Sequence, residues 1–140
     1  MLAWSATWSL GRGAHNAAAV ARTEFIAHLR LCAALNADYN AAELIFGELV
    51  ANAVTHARER AIVRLWFDDW AHLSVRDDSG SFGQRPIAPA PAHVESGRGL
   101  YIVKALAREL NIEGTDAGWI VTAQLPVQCK SERLDLRDVS

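Results

Sequence analysis

The sequence predicts an α+β fold, a two-layer α/β sandwich in which three helices lie on one face of a mainly antiparallel, mixed sheet. Three observations carry this. The segments alternate in the order β–α–α–β–β–loop–α–β–β, period-2 runs stand at both ends, and 3–4-residue apolar spacing marks the segments between. The chain has 140 residues, 51% of them hydrophobic and 21% charged. That length buries about two-thirds of the unfolded surface, enough for one domain. The hydrophobic content argues against disorder. A net charge of −2 excludes a strongly basic nucleic-acid module.

Taken in order, Leu2, Trp4, Ala6, Trp8 and Leu10 alternate with smaller or polar residues, which predicts a first strand with one buried face, ended by Gly11-Arg12-Gly13. From Asn16, read as the N-cap, Ala21, Phe25, Leu29 and Cys32 recur at helical spacing. A second helix is predicted from about Asp38 to Ala57, with Ala42, Ile45, Leu49 and Ala53 on its apolar stripe. Ile62–Phe67 and His72–Arg76 read as a hairpin joined by Asp68-Asp69-Trp70-Ala71. Residues 79–96 are rich in Ser, Gly, Pro and Ala, and their three prolines predict an exposed, mobile loop. A third helix follows at about 99–110 with Leu100, Val103, Leu106 and Leu110 inward. The last hairpin turns at Gly114–Gly118, and its return strand places Trp119, Val121, Ala123 and Leu125 on one face up to Pro126. Residues 1–126 are therefore expected to form the domain and 127–140 a charged tail. Five tryptophans are expected to supply much of the buried area.

Cys32 and Cys129 have neither CxxC spacing nor a histidine at metal-site spacing, so no zinc site or disulfide framework is indicated. Neither a leader-type apolar segment nor a membrane-length run is found, which points to a reducing cytoplasmic setting and no membrane partner.

Three segments carry chemistry. Glu48, Asn52 and His56 fall four residues apart on the second helix and so line one stripe. A neutral amide oxygen suits Mg²⁺ and a carboxylate can deprotonate a hydroxyl, although an exposed polar helix face has the same spacing. Asp77 and Asp78 end an apolar strand before Ser79-Gly80-Ser81, where a carboxylate can accept from the exocyclic amine of a purine. An ordinary turn begins the same way. Gly97-Arg98-Gly99 precedes a helix, so backbone amides, the helix field and the Arg98 charge can meet an anion such as phosphate.

In this order the stretch Glu48–Ala57, then Val75-x-Asp77, then Gly97-Arg98-Gly99-Leu100-x-Ile102-Val103 resembles the N, G1 and G2 boxes of the GHKL (Bergerat-fold) ATPases. Within them it looks most like the bacterial anti-sigma-factor serine kinases, over nearly the whole chain. The resemblance implies ATP and Mg²⁺ as cofactors, with Glu48 as general base and Asn52 as the Mg²⁺ ligand. It further implies Asp77 as the adenine-reading carboxylate, Ser79 beside it, and Gly97 and Gly99 as phosphate-loop glycines. His56, Arg98 and Leu100 fall at nucleotide-contact positions. The implied partners are a sigma factor, which is sequestered, and an antagonist protein, which is phosphorylated; a homodimer is one option for assembly, and the net charge argues against direct contact with nucleic acid.

The pattern departs from the family at named places. Its D-x-G-x-G turn here reads Asp77-Asp78-Ser79-Gly80-Ser81. Asp78-Ser79-Gly80 is an alternative frame that restores one glycine, whereas Phe82 fits the frame on Asp77. The threonine that helps water bridge to adenine corresponds to Ile120, with Thr122 on the same face. The 79–96 segment, an ATP lid in the superfamily, is short. Two other functions fit the same fold. One is a non-catalytic nucleotide- or partner-binding module, favoured by the two serines. The other is a detached histidine-kinase catalytic domain, disfavoured because no helix pair with a phospho-accepting histidine is evident.

Overall fold

The computed structural model describes residues 5–34, 36–80 and 95–130. The expected sandwich is present. Strands β1 (Ser5–Gly11), β2 (Arg60–Phe67), β3 (Trp70–Asp77), β4 (Glu109–Gly114) and β5 (Trp119–Gln128) form one sheet in the order β1-β2-β3-β5-β4. Helices α1 (His15–Cys32), α2 (Tyr39–His56) and α3 (Glu95–Leu106) complete it. Every strand pair among the described residues is antiparallel, so the sheet is not mixed.

Cross-strand partners share a face. Val63, Val75, Val121 and Ile112 make one inward row, and Leu65, Leu73, Ala123 and Leu110 the next. Against these rows α2 presents Ala42, Ile45, Leu49 and Ala53, all buried as its spacing predicts, together with Phe46, Val50 and Val54. Phe25 of α1 stacks on Phe46 at 4.5 Å between ring centroids, which joins the helices to one core.

The opposite face is polar and aromatic. Trp66 stacks on His72 at 5.3 Å, and the Arg64 guanidinium lies 5.5 Å from the Trp66 ring. The tryptophans therefore divide between two surfaces: Trp119 is buried inward, while Trp66 lies on the face away from the helices. Trp4 lies outside the described residues.

Several boundaries differ from expectation for local reasons. Ala14, with no side-chain cap bond, occupies the N-cap of α1, so Asn16 lies inside the helix. The β1–α1 turn instead closes through its backbone, with Gly13 in the left-handed region at φ 69°. Asp38 caps α2 as predicted, accepting from the Ala41 amide at 3.0 Å. The β2–β3 turn is only Asp68-Asp69, because the Asp68 carboxylate accepts from the Trp70 amide at 2.9 Å and restarts the strand there. Helix α3 begins at Glu95 and ends at Leu106, earlier at both ends than the predicted 99–110. The Arg108 amide donates to the Gln124 carbonyl at 2.8 Å, which draws the chain into the sheet and makes Leu110 a strand residue. β5 continues through Pro126 to Gln128, and Val127 is fully buried.

No helix among the described residues is long and apolar enough to cross a membrane.

Candidate functional site

Glu48, Asn52 and His56 share one stripe of α2; Glu48 and Asn52 are half-buried and His56, in the last turn, is exposed. The seam between α2 and α3 explains the position of Glu48. A Cβ on Gly99 would lie 2.7 Å from the Glu48 Oε1 atom, so the α3 backbone rests directly beside that carboxylate. The sequence signals from two distant segments are thus one place in the fold. Gly97 and Arg98 lie in the first turn of α3, and Leu100 is half-buried in the next. The expected lid falls mostly on residues 81–94, outside the described residues.

The end of β3 separates the two candidate carboxylates. Asp77 is 4% exposed, the one buried charged side chain among the described residues, and its Oδ1 accepts from the Ser79 amide at 3.0 Å. Asp78 faces the other way. Its carboxylate accepts from the amides of Arg58 at 2.7 Å, Glu59 at 3.1 Å and Arg60 at 3.1 Å. Asp77 is directed into the sandwich and Asp78 is committed to the α2–β2 connection.

On β5, Asp77 is paired with Trp119, and both side chains lie on the inward face. Ile120 and Thr122 pair with Arg76 and Ser74 on the opposite face. The two share a face, as expected, and neither stands beside the Asp77 side chain. The neighbouring side chain is an indole, 2% exposed. Gly118 is required just before it, since a Cβ there would overlap the Asp77 carbonyl oxygen and come within 2.9 Å of the Ser79 nitrogen. The inward face of Trp119 and the turn at Gly118 are as alternation predicts; their place beside Asp77 comes from the β3–β5 register, which no local pattern reports.

The first Gly-Arg-Gly also belongs to this neighbourhood. The Gly13 amide donates to the Val54 carbonyl and the Arg12 amide to the Glu59 carbonyl, each at 2.9 Å, so the β1–α1 turn secures the end of α2.

These features place a carboxylate–amide–imidazole stripe, an inward carboxylate at a strand end and a glycine-bearing helix start in one sandwich. The chain matches the Histidine kinase-like ATPase domain over residues 13–125. It belongs to that family. The family is of the GHKL type, as the three boxes imply. No curated protein matches the chain. Among solved structures, the Erythrobacter litoralis EL346 blue-light activated histidine kinase is similar over 66% of this chain at 23% identity and a TM-score of 0.48. The chain spans 32% of that kinase.

Within this ATPase domain, no group of three or more His, Cys, Asp or Glu side chains that could hold a metal occurs among the described residues. Burial, and to a lesser degree the nearby Cys32, pushes the Cys129 thiol up to about 12, so it stays protonated at neutral pH and is a poor ligand or nucleophile.

Two carboxylates of the ATPase domain titrate below their ordinary value of 3.8. For Asp68 the Trp70 amide is the main cause; for Asp78, burial pushes upward but the three amide bonds outweigh it. A depressed folded-state value means stability that is present above about pH 4 and lost as pH falls through the lower folded value. Denaturant unfolding between pH 7 and pH 2.5 should show these contributions unchanged down to about pH 5 and declining below pH 4. Asp78→Asn should flatten that acid decline.

Proposed function

We propose that this domain is an ATP-dependent protein serine/threonine kinase of the anti-sigma-factor type, which sequesters a sigma factor and phosphorylates a small antagonist protein. The observation that carries the reading is the Glu48 carboxylate held against Gly99 at the α2–α3 seam, one helical turn from Asn52. A hydroxyl acceptor must lose a proton as it attacks phosphorus, and a carboxylate in that position can take it. A neutral histidine acceptor brings a free lone pair and has less need of such a base, which favours a serine or threonine over a phospho-accepting histidine.

The remaining roles follow from residue chemistry. Asp77 accepts from the adenine exocyclic amine, next to Ser79. Gly97 and Gly99 offer backbone amides to the phosphates, with Arg98 and His56 adding donors and Leu100 packing beside them. Asn52 would offer a neutral side-chain oxygen to a Mg²⁺ ion that also meets the phosphates, where the ion would spread phosphoryl charge. Every protein group here positions or moves a proton, and no covalent enzyme intermediate is required.

A second reading, a non-catalytic binding module, is favoured by one observation, the buried Trp119 beside Asp77. The two are separated by incubating the protein with γ-labelled ATP, Mg²⁺ and a small antagonist protein that carries an acceptor serine. Label on that serine is the expected result. Tight partner binding with no label transferred would establish the module instead.

A further inference from the structure

We infer that Asp78 is a positioning residue for the base end of the nucleotide site, acting through Asp77 and the C-terminal turn of α2. This rests on the reading of the domain as an adenine-nucleotide kinase. The nucleotide site as a whole draws on elements far apart in sequence: Asn52 and His56 on α2, and Asp77, which reads the base, at the end of β3. Their separation depends on residues 57–60, which turn the chain from α2 into β2. Beyond Ala61, the residue paired with Asp77, the β2–β3 ladder ends.

There the Asp78 side chain takes over. Its two oxygens accept from the amides of Arg58, Glu59 and Arg60 at 2.7 to 3.1 Å. From the other side, the Glu59 carbonyl accepts from the Arg12 amide and the Val54 carbonyl from the Gly13 amide. The connection is therefore held on both flanks. Charged acceptors make stronger bonds than neutral ones, and three fixed donors leave the carboxylate little freedom.

Asp78 also adjoins Asp77 in the chain. Anchoring its side chain fixes the peptide between them, while the Ser79 amide holds Asp77 Oδ1 and Gly118 closes on the Asp77 carbonyl. The neighbouring carboxylates thus divide the work: Asp77 faces the base and Asp78 sets the frame from which it does so.

Asp78→Asn leaves one acceptor oxygen and turns an NH₂ group toward amide donors; Asp78→Ala removes both oxygens. Calorimetry well below the unfolding temperature should show ATP Kd rising about tenfold for Asn and toward a hundredfold for Ala. KM for ATP should rise in parallel, while kcat at saturating ATP stays within about twofold, since Glu48 and Gly99 lie at the other seam. Amide exchange at residues 58–60 should accelerate in the same graded order. A lowered Tm with ATP Kd unchanged would overturn the inference and leave Asp78 a purely structural residue, as would a fall in kcat at constant KM. Should the alanine variant not fold, the asparagine variant decides. Wild-type protein that does not bind ATP would bring down the kinase reading and this inference together; normal wild-type binding with unaffected variants would remove the inference alone.

Discussion

Glu48→Gln is expected to reduce phosphoryl transfer by about 10²- to 10⁴-fold while leaving ATP affinity within a few-fold. The substitution keeps the length and the half-buried packing beside Gly99, and it removes only the capacity to take a proton. A general base acts chiefly in the transition state, so kcat should carry nearly the whole loss. The measurement is single-turnover transfer of labelled phosphate to the antagonist serine, with nucleotide affinity determined on the same preparation. Equal losses in affinity and rate would assign Glu48 to binding instead. Transfer at the wild-type rate would remove it from the chemistry.

The second large effect concerns the base. Asp77→Asn should weaken ATP binding about ten- to a hundredfold, which corresponds to the roughly 1.5–3 kcal/mol of a hydrogen bond to a charged group. The effect should be near the upper end, because Asp77 is 4% exposed and has an indole rather than open solvent on its β5 side. A buried acceptor replaced by a mixed donor and acceptor leaves one group mismatched, and water cannot readily make up the difference. Titration calorimetry of the variant against wild type decides it. Unchanged affinity would show that the base is read elsewhere.

The layers and the order of elements were readable because hydrophobic periodicity reports burial directly. Ala42, Ile45, Leu49 and Ala53 were expected inward on α2 and are buried, and the β2–β3 hairpin is where alternation placed it. The candidate residues on α2 were readable for another reason, since four-residue spacing brings Glu48, Asn52 and His56 to one side of any helix.

What escaped is what depends on pairing between distant segments. Leu110 fits a helical stripe after Val103 and Leu106 as well as it fits alternation with Ile112, and only the bond from Arg108 to Gln124 decides for the strand. The frame on Asp77 and Asp78 has the same character. Both are strand-end aspartates in sequence, and the amides that occupy Asp78 come from some twenty residues earlier in the chain. Trp119 shows a third kind of limit. Alternation with Val121 turns it inward, but only the register between β3 and β5, which pairs it with Asp77, makes it that carboxylate's neighbour.

The central claim is that α2, the end of β3 and the start of α3 form a site that reads adenine through Asp77. Its most direct test is titration of the wild-type chain with ATP and with GTP in the presence of Mg²⁺. Asp77 can accept from the adenine amine but would face the guanine carbonyl as acceptor against acceptor, so ATP should bind at least about tenfold more tightly than GTP. Equal affinity for the two nucleotides, or no binding of either, would contradict it.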